Sequence, residues 1–245
     1  MIADLTTTEV CAAIELVVRE LLWEAGIEHP PVDALEAARR LGCVVVPSEH
    51  APHRAYRVRV ASCGVRTEEV IALAPEDRPE RRQWSVAHEL GEAHAHRLFR
   101  YLGIGPRDCP GAAREQLANR FANCLLLPGR WFLPAALACD WDLAALKRRF
   151  ATASHELIAR RFLELHEGSI VVTVIDNGQQ TWRRGSRWRA PPAAPCELAA
   201  WNKAFETGRY VDCPVGRDQV TRLRVWPVHE HGWRREILLT EYEEC

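Results

Sequence analysis

The chain has 245 residues, of which 47% are hydrophobic and 27% are charged. This balance is typical of a folded globular protein and excludes a disordered, collagen-like or coiled-coil chain. The 32 Lys and Arg residues nearly cancel the 33 Asp and Glu residues, so a net charge of -1 provides no overall field for nucleic acid. The length predicts one large domain or two smaller ones.

The chain carries no pattern for export or for membrane insertion. No apolar run approaches the roughly 20 residues of a membrane-spanning helix, and the first residues, MIADLTTTEV, lack the basic start and apolar core of a signal peptide. We therefore expect a cytoplasmic protein that does not bind membranes. In that reducing compartment the nine cysteines, none of them in a CxxC pair, predict buried thiols rather than disulfides or a zinc knuckle.

Apolar periodicity and end signals predict alternating helices and short strands along most of the chain. Thr6 and Glu9 form a capping-box pattern before the first helix. The predicted helices cover residues 6–25, 32–41, 79–100, 112–127, 142–150 and 154–166. The predicted strands cover residues 43–46, 56–60, 70–74, 170–175 and 179–183, with Asn177-Gly178 as a tight turn between the last two.

The composition changes after residue 183. Residues 184–195 carry Arg, Pro and Ala without periodicity, which predicts a linker or a long loop. Beyond it, Arg222–Val228 and Glu236–Thr240 have the pattern of short strands. Five of the nine tryptophans lie between Trp182 and Trp233, where core packing is a simpler role than ligand stacking. No pattern indicates the oligomeric state.

The candidate metal-binding and catalytic residues begin in the stretch WSVAHELGEAHAH. His88 and Glu92 are separated by four positions, so a helix places them on one face where they can converge on one cation. Glu89 projects beside them and could take a proton from a metal-bound water. A zinc-protease helix has a second His where this chain has Glu92. Glu115, near the start of the next predicted helix, is a candidate third ligand, or alternatively a solvated carboxylate near a helix N-terminus.

Two segments together, WSVAHELG and the E-x-x-x-N-x-F-A-x-x-L-L-x-P run that begins at Glu115, resemble the signature of the ImmA/IrrE family of metallo-endopeptidases. The resemblance extends over about residues 10–175. It implies an α+β, zincin-like peptidase domain of helices on a small mixed sheet, at residues 1–183, followed by the linker 184–195 and a small strand-rich region at residues 196–245. It also implies His88 and Glu115 as metal ligands, Glu89 as the general base, and Glu92 in the place of the second His.

The Glu at position 92 changes the expected electrostatics. Zn²⁺ with two carboxylate ligands and one His forms a neutral centre, which acidifies a water and polarises a carbonyl less than a positive one. The oxygen-rich ligand set also favours Mn²⁺ as an alternative to Zn²⁺. The sequence is therefore compatible with a retuned site or with a lost one. His94 and His96 are alternative ligands, but His96 is about 12 Å from His88 along a helix axis.

The resemblance implies a protease that cuts a helix-turn-helix transcriptional repressor and releases stress or mobile-element genes. The chemistry would be attack of metal-bound water assisted by Glu89. His53, Tyr56 and His155 are candidate oxyanion donors. The alternative is a catalytically degenerate domain that binds a regulator without cutting it, and Glu92 is the main feature in its favour.

A third hypothesis is a DNA-binding module, although the near-neutral chain argues against direct binding of nucleic acid. Leu143–Leu165 has the pattern of a helix-turn-helix with several basic side chains that could contact phosphates. The same pattern fits two amphipathic helices that close a peptidase core, which we favour. The basic residues concerned are Lys147, Arg148, Arg149, Arg160 and Arg161.

Overall fold

The computed structural model of the protein describes residues 5–49, 54–61, 67–217 and 219–243. Contacts divide the chain into two compact units. The first unit comprises Met1–Ala138 and Lys147–Ser154, and the second comprises Cys139–Leu146 and His155–Cys245. Both contain helices, and each contains a sheet, which confirms the predicted α+β class.

The first unit packs helices on a three-stranded mixed sheet, as expected. Its elements are α1 (Thr7–Glu24), α2 (Ala34–Arg40), β1 (Cys43–Pro47), β2 (Ala55–Ala61), β3 (Thr67–Leu73), α3 (Pro79–Leu102), α4 (Gly111–Leu126) and α5 (Gly129–Ala138). The central strand β3 is parallel to β1 and antiparallel to β2. Helix α3 contacts α1, α2 and α4 as well as β2 and β3, so it lies at the centre of this unit.

The ends of the helices follow the signals in the sequence. Thr6 Oγ1 accepts a hydrogen bond from the Glu9 backbone N–H, and the Glu9 carboxylate accepts one from the Thr6 N–H, so the capping box is confirmed. Helix α3 begins with Pro79 in its first turn and ends at Gly103, whose φ of 64° is left-handed. Both features favour a long helix through the HELGE segment, since no residue between them interrupts the backbone hydrogen bonds.

Strand β2 has its apolar face in solvent. Val58 and Val60 are 37% and 46% exposed, although an alternating strand usually turns its apolar residues inward. The opposite face carries Arg57 and Arg59, which both donate to Glu69 of β3 at 3.1 Å. Glu69 thus pairs with both guanidinium groups. The Arg59 side chain is itself 69% exposed, so both faces of β2 reach solvent at this edge of the sheet.

The second unit is built on a five-stranded antiparallel sheet in the order β5-β4-β8-β7-β6. Its elements are α7 (His155–Leu165), β4 (Ile170–Asp176), β5 (Gln179–Gly185), α8 (Pro195–Thr207), β6 (Val211–Arg217), β7 (Val220–Glu230) and β8 (Trp233–Tyr242), and α6 (Leu143–Arg149) spans the boundary between units. Asn177 and Gly178 both have positive φ, 49° and 81°, which confirms the tight turn between β4 and β5. Ala200 and Ala204 of α8 pack with Leu223 and Leu238 of the sheet in a buried core.

Three elements escaped the sequence analysis: α5, α8 and β6. Helix α8 occupies the start of the region predicted to be strand-rich, and it begins with Pro195, which suits a first helical turn. The compact units also divide the chain differently from the predicted boundary at residues 184–195. The reason is that β4 pairs with β8 along Ile170–Asp176, which joins residues on both sides of that boundary in one sheet.

The segment Leu143–Leu165 forms two helices as predicted, but most of its basic side chains have partners within the protein. Lys147 Nζ donates to Glu80 at 2.7 Å. Arg160 pairs with Glu156 at 2.6 Å, and Arg161 is 4% exposed and pairs with Glu164. These contacts favour a packing role for the segment over phosphate binding.

Within the part of the chain that the structure describes, no single helix has the length and apolar composition of a membrane span. Helices α4 and α5 meet those criteria only as a pair, and the pair is bent by 54°. Apolar residues on both helices, including Phe121, Leu125 and Phe132, are buried in the first unit.

A half-buried histidine in the second unit affects stability. The His166 ring packs on Trp141 with centroids 4.6 Å apart, and its Nδ1 accepts a hydrogen bond from the Gly168 N–H. Burial lowers the pKa of His166, Glu241 and Asp140 act to raise it, and Arg224 acts to lower it. The folded protein therefore favours the neutral ring.

We predict that His166 contributes to acid destabilisation. Because its pKa is lowered in the folded state, the unfolded chain binds more protons below the ordinary histidine pKa of about 6.5. The free energy of unfolding should therefore rise with pH from the lowered value up to about 6.5. In urea unfolding between about pH 5 and 7, His166→Phe should show a shallower rise than the wild type. The exposed His231→Phe is the control, and an equal effect of both substitutions would contradict the assignment.

Candidate metal centre

Helix α3 presents the central residues of the site. His88 and Glu92 lie one helical turn apart, and their side chains are 13% and 22% exposed. The neighbouring Leu90 and Gly91 are buried in the helix packing. Packing of the apolar face therefore fixes the orientation of α3, and His88 and Glu92 lie at the edge of that face.

A glycine lets α4 approach α3 closely. A Cβ atom built on Gly91 would lie 2.8 Å from Phe121 Cδ1 and 3.1 Å from Phe121 Cβ, closer than packed carbon atoms allow. Phe121 is 2% exposed, so its ring has little freedom to move away. The short distance between the helices brings Glu115 Oε2 to 3.7 Å from His88 Nε2.

His88, Glu92 and Glu115 form one cluster, as predicted. Each offers a donor atom, and the three atoms lie within 4.8 Å of one another. Ligands of a tetrahedral zinc ion are about 3.4 Å apart when the bonds are about 2.05 Å long. Small side-chain rotations would close this difference, and the side chain of Glu115 is 61% exposed. One imidazole nitrogen and two carboxylate oxygens fit Zn²⁺ and also suit Mn²⁺.

Two asparagines on α4 orient the aromatic residues of α3. Asn119 Oδ1 lies 3.0 Å from His88 Nδ1, which assigns the ring proton to Nδ1 and leaves the Nε2 lone pair towards Glu115. One turn further along α4, Asn123 Oδ1 accepts a hydrogen bond of 3.0 Å from Trp84 Nε1. The Trp84 and His88 rings are 5.4 Å apart. One turn forward along α3, from Trp84 to His88, therefore corresponds to one turn back along α4, from Asn123 to Asn119.

Arg114 binds the remaining member of the cluster. Its Nε donates to Glu92 Oε2 at 2.7 Å, and the two side chains are 42% and 22% exposed. Hydrogen bonds between a guanidinium and a carboxylate are shorter and stronger than neutral ones. Arg114 therefore holds one carboxylate oxygen of Glu92 in place.

Glu89 lies in the same cleft with a raised pKa. Burial is the main cause, the negative charges of Glu92 and Glu115 act in the same direction, and His88 and Arg57 oppose them. The cleft is open, has a volume of about 940 Å³, and is lined by all four predicted site residues and by Tyr56 and Arg57 of β2. A carboxylate with a raised pKa beside three potential ligands has the features of a general base.

The remaining predicted residues lie elsewhere. His94 and His96 are absent from the cluster of donor atoms among the described residues. Burial is the main cause that lowers the pKa of His94 to about 4, and His96 Nδ1 contacts the Ala93 carbonyl at 3.2 Å. Of the candidate oxyanion donors, Tyr56 lines the cleft, His155 belongs to the second unit, and His53 lies outside the described residues.

Sequence reasoning missed the residues that support the cluster, namely Trp84, Arg114, Asn119 and Asn123. Asn119 was visible as the Asn of the E-x-x-x-N run, one turn after Glu115. That spacing signals a shared helix face. Trp84, Arg114 and Asn123 each bind a residue of the other helix. No pattern within one helix predicts such a pairing.

The fold and the cluster are those expected of a zincin-like domain that resembles a metallopeptidase. A family model for peptidases, described as the IrrE N-terminal-like domain, matches residues 38–163. This match covers half of the chain, and the chain belongs to that family. It includes α3 and α4 and therefore the whole cluster.

A solved structure supports the fold over a longer range. A Mycobacterium tuberculosis transcriptional regulator is similar with a TM-score of 0.66 and 20% sequence identity, covering 93% of this chain and 75% of that chain. At this identity the similarity concerns the fold alone. No curated protein sequence matches the chain.

We predict that Gly91→Ala lowers the free energy of unfolding by about 1–3 kcal/mol, because the added methyl group overpacks the contact with Phe121. The matched control is Gly111→Ala at the start of α4, where a Cβ meets no atom within 4 Å. Urea unfolding of both variants measures the difference. Equal free energies of unfolding of the two variants would show that α3 and α4 can move apart without loss of stability.

Proposed function

We propose that the protein is a cytoplasmic, metal-dependent endopeptidase that cuts a helix-turn-helix transcriptional repressor and thereby relieves repression. The observation that carries this proposal is the convergence of His88, Glu92 and Glu115, with the half-buried Glu89 beside them, in one open cleft. Membership of a peptidase family supports the type of reaction.

His88, Glu92 and Glu115 would hold the cation, Zn²⁺ or alternatively Mn²⁺. A divalent ion at such a site supplies Lewis acidity, which polarises the scissile carbonyl and acidifies a water. The Nδ1–H of His88 is held by Asn119, so its Nε2 remains oriented as a donor.

Glu89 would act as the general base and then as the general acid. Its carboxylate accepts a proton from the attacking water and transfers it to the departing amine nitrogen. The raised pKa suits both steps, since the protonated form is more accessible than for an exposed glutamate. Tyr56 and Arg57 line the same cleft and could donate hydrogen bonds to the developing oxyanion.

The proposed substrate is a folded regulator with an accessible segment. An open cleft admits an extended chain rather than a small enclosed ligand. The structural neighbour is itself described as a transcriptional regulator, which fits a role of this fold in control of transcription. We further propose that the repressor controls stress or mobile-element genes.

The second candidate function is a degenerate peptidase domain that binds a regulator without cutting it. The observation that favours it is the ion pair between Glu92 and Arg114, because a carboxylate neutralised by a guanidinium is a weaker metal donor. The two candidates differ in metal content and in products.

We predict that the purified protein binds about one Zn²⁺ or Mn²⁺ per chain and that Glu115→Ala loses it, since two remaining donors cannot complete a protein site. Elemental mass spectrometry after loading and desalting measures the stoichiometry. Gln116→Ala, an exposed neighbour on α4, should keep the ion. A wild-type protein without metal after loading would favour the degenerate domain.

We predict that Glu89→Gln lowers repressor cleavage by at least about 100-fold, because the amide cannot accept the proton. The assay incubates metal-loaded protein with the repressor encoded by a neighbouring gene and follows products by mass spectrometry. The exposed Glu28→Gln should cleave at the wild-type rate. A repressor left equally intact by the wild type and by Glu89→Gln would refute proteolysis of that substrate.

A further inference from the structure

We propose that Arg114 is a positioning residue of the metal centre, and that the Glu92–Arg114 pair replaces a neutral histidine ligand in both charge and orientation. This inference rests on the proposed metal-binding function. It assigns a role to the residue that precedes Glu115, which the motif alone leaves unexplained.

The geometry leaves Glu92 able to bind a cation while it is paired. Arg114 Nε donates to Oε2 at 2.7 Å, and an ionised carboxylate can accept about four hydrogen bonds or ligand contacts. A donor oxygen of Glu92 still lies within 4.8 Å of donor atoms of His88 and Glu115. One carboxylate can thus contact Arg114 on one side and the cation on the other.

The charges explain why the pair is needed. Two carboxylates and one neutral imidazole cancel the charge of a divalent ion, whereas two imidazoles and one carboxylate leave one positive charge. A positive centre acidifies a bound water and polarises a carbonyl more strongly. Arg114 adds one positive charge at hydrogen-bonding distance from Glu92, so the extended group has the same net charge as the two-histidine centre.

Arg114 also fixes the direction of Glu92. A glutamate has three side-chain torsions and loses rotamer freedom when it binds an ion. Helix α4 supplies one support for each α3 ligand, Asn119 for His88 and Arg114 for Glu92. Hydrogen-bonding partners of metal ligands typically contribute 10- to 100-fold to metal affinity.

A competing role for Arg114 has the opposite sign. If the guanidinium only blocked Glu92, its removal would free a ligand and relieve repulsion between two cations, so the metal would bind more tightly. The direction of the change in metal affinity therefore distinguishes a positioning residue from a competitor.

The experiment measures Zn²⁺ and Mn²⁺ dissociation constants by competition with a chromophoric chelator for the full chain and its variants. Arg114→Gln should weaken binding by about 10-fold or more, and Arg114→Lys should recover part of the loss because it restores the charge. Arg120→Gln, an exposed arginine on the same helix, is the matched control and should bind as the wild type does. Circular dichroism and thermal unfolding verify that each variant is folded.

A second background tests the pairing itself. In the Glu92→His variant, Arg114 faces a neutral ligand and becomes an uncompensated cation. The double variant Glu92→His/Arg114→Gln should therefore bind the metal more tightly than Glu92→His alone. Opposite signs in the two backgrounds support the proposal. Unchanged or tighter binding in Arg114→Gln alone overturns it while the metal centre stands. Absence of metal binding in the wild type and in every variant overturns both this inference and the proposed function.

Discussion

The contact between Gly91 and Phe121 sets the separation of α3 and α4, and every contact between these helices in the candidate centre depends on that separation. A methyl group at position 91 would lie 2.8 Å from Phe121 Cδ1, so the helices or the Phe121 ring would have to shift. The hydrogen bonds from Trp84 to Asn123, between His88 and Asn119, and from Arg114 to Glu92 all cross the same interface. A hydrogen bond tolerates only a few tenths of an ångström of extension, so these contacts would weaken together.

Acidic and basic side chains lie close together in the cleft. Glu89, Glu92 and Glu115 line it together, and Glu89 is half-buried among them. Arg57 lowers the cost of ionising Glu89, and Arg114 donates a hydrogen bond to Glu92, so each of these two carboxylates has an arginine near it. Arg57 is itself held by Glu69 of β3. The sheet therefore contributes to the electrostatics of a site whose ligands all come from helices.

Periodicity and end signals predicted most helices and strands of the first unit, and the β4–β5 hairpin of the second, because they act locally along the chain. The capping box at Thr6, the proline start of α3 and the Asn177-Gly178 turn are local, and each is confirmed. The pairing of His88 with Glu92 is equally local, whereas the role of Glu115 as a third ligand was favoured over that of a solvated carboxylate only by the resemblance to a family. The partners Arg114 and Asn123 depend on how two helices cross, which one sequence does not specify.

Local patterns left other features open. The alternation in β2 indicated a half-exposed strand without deciding which face is covered, and Val58, Val60 and Arg59 all reach solvent at this edge of the sheet. Helix α8 was missed because its short apolar pattern lies next to Pro-rich sequence that resembles a loop.

Arg114 and Glu115 lie in the first turn of α4, so one end of the candidate centre is easily disordered. The helix starts at Gly111 after Pro110, without a side-chain cap, and the first backbone bond of the helix runs from the Arg114 N–H to the Pro110 carbonyl. Helix ends fray because their hydrogen bonds are incomplete. A cation bridging His88 and Glu115 would tie this end to the middle of α3, so ordering of the first turn of α4 and occupancy of the centre would form a single equilibrium.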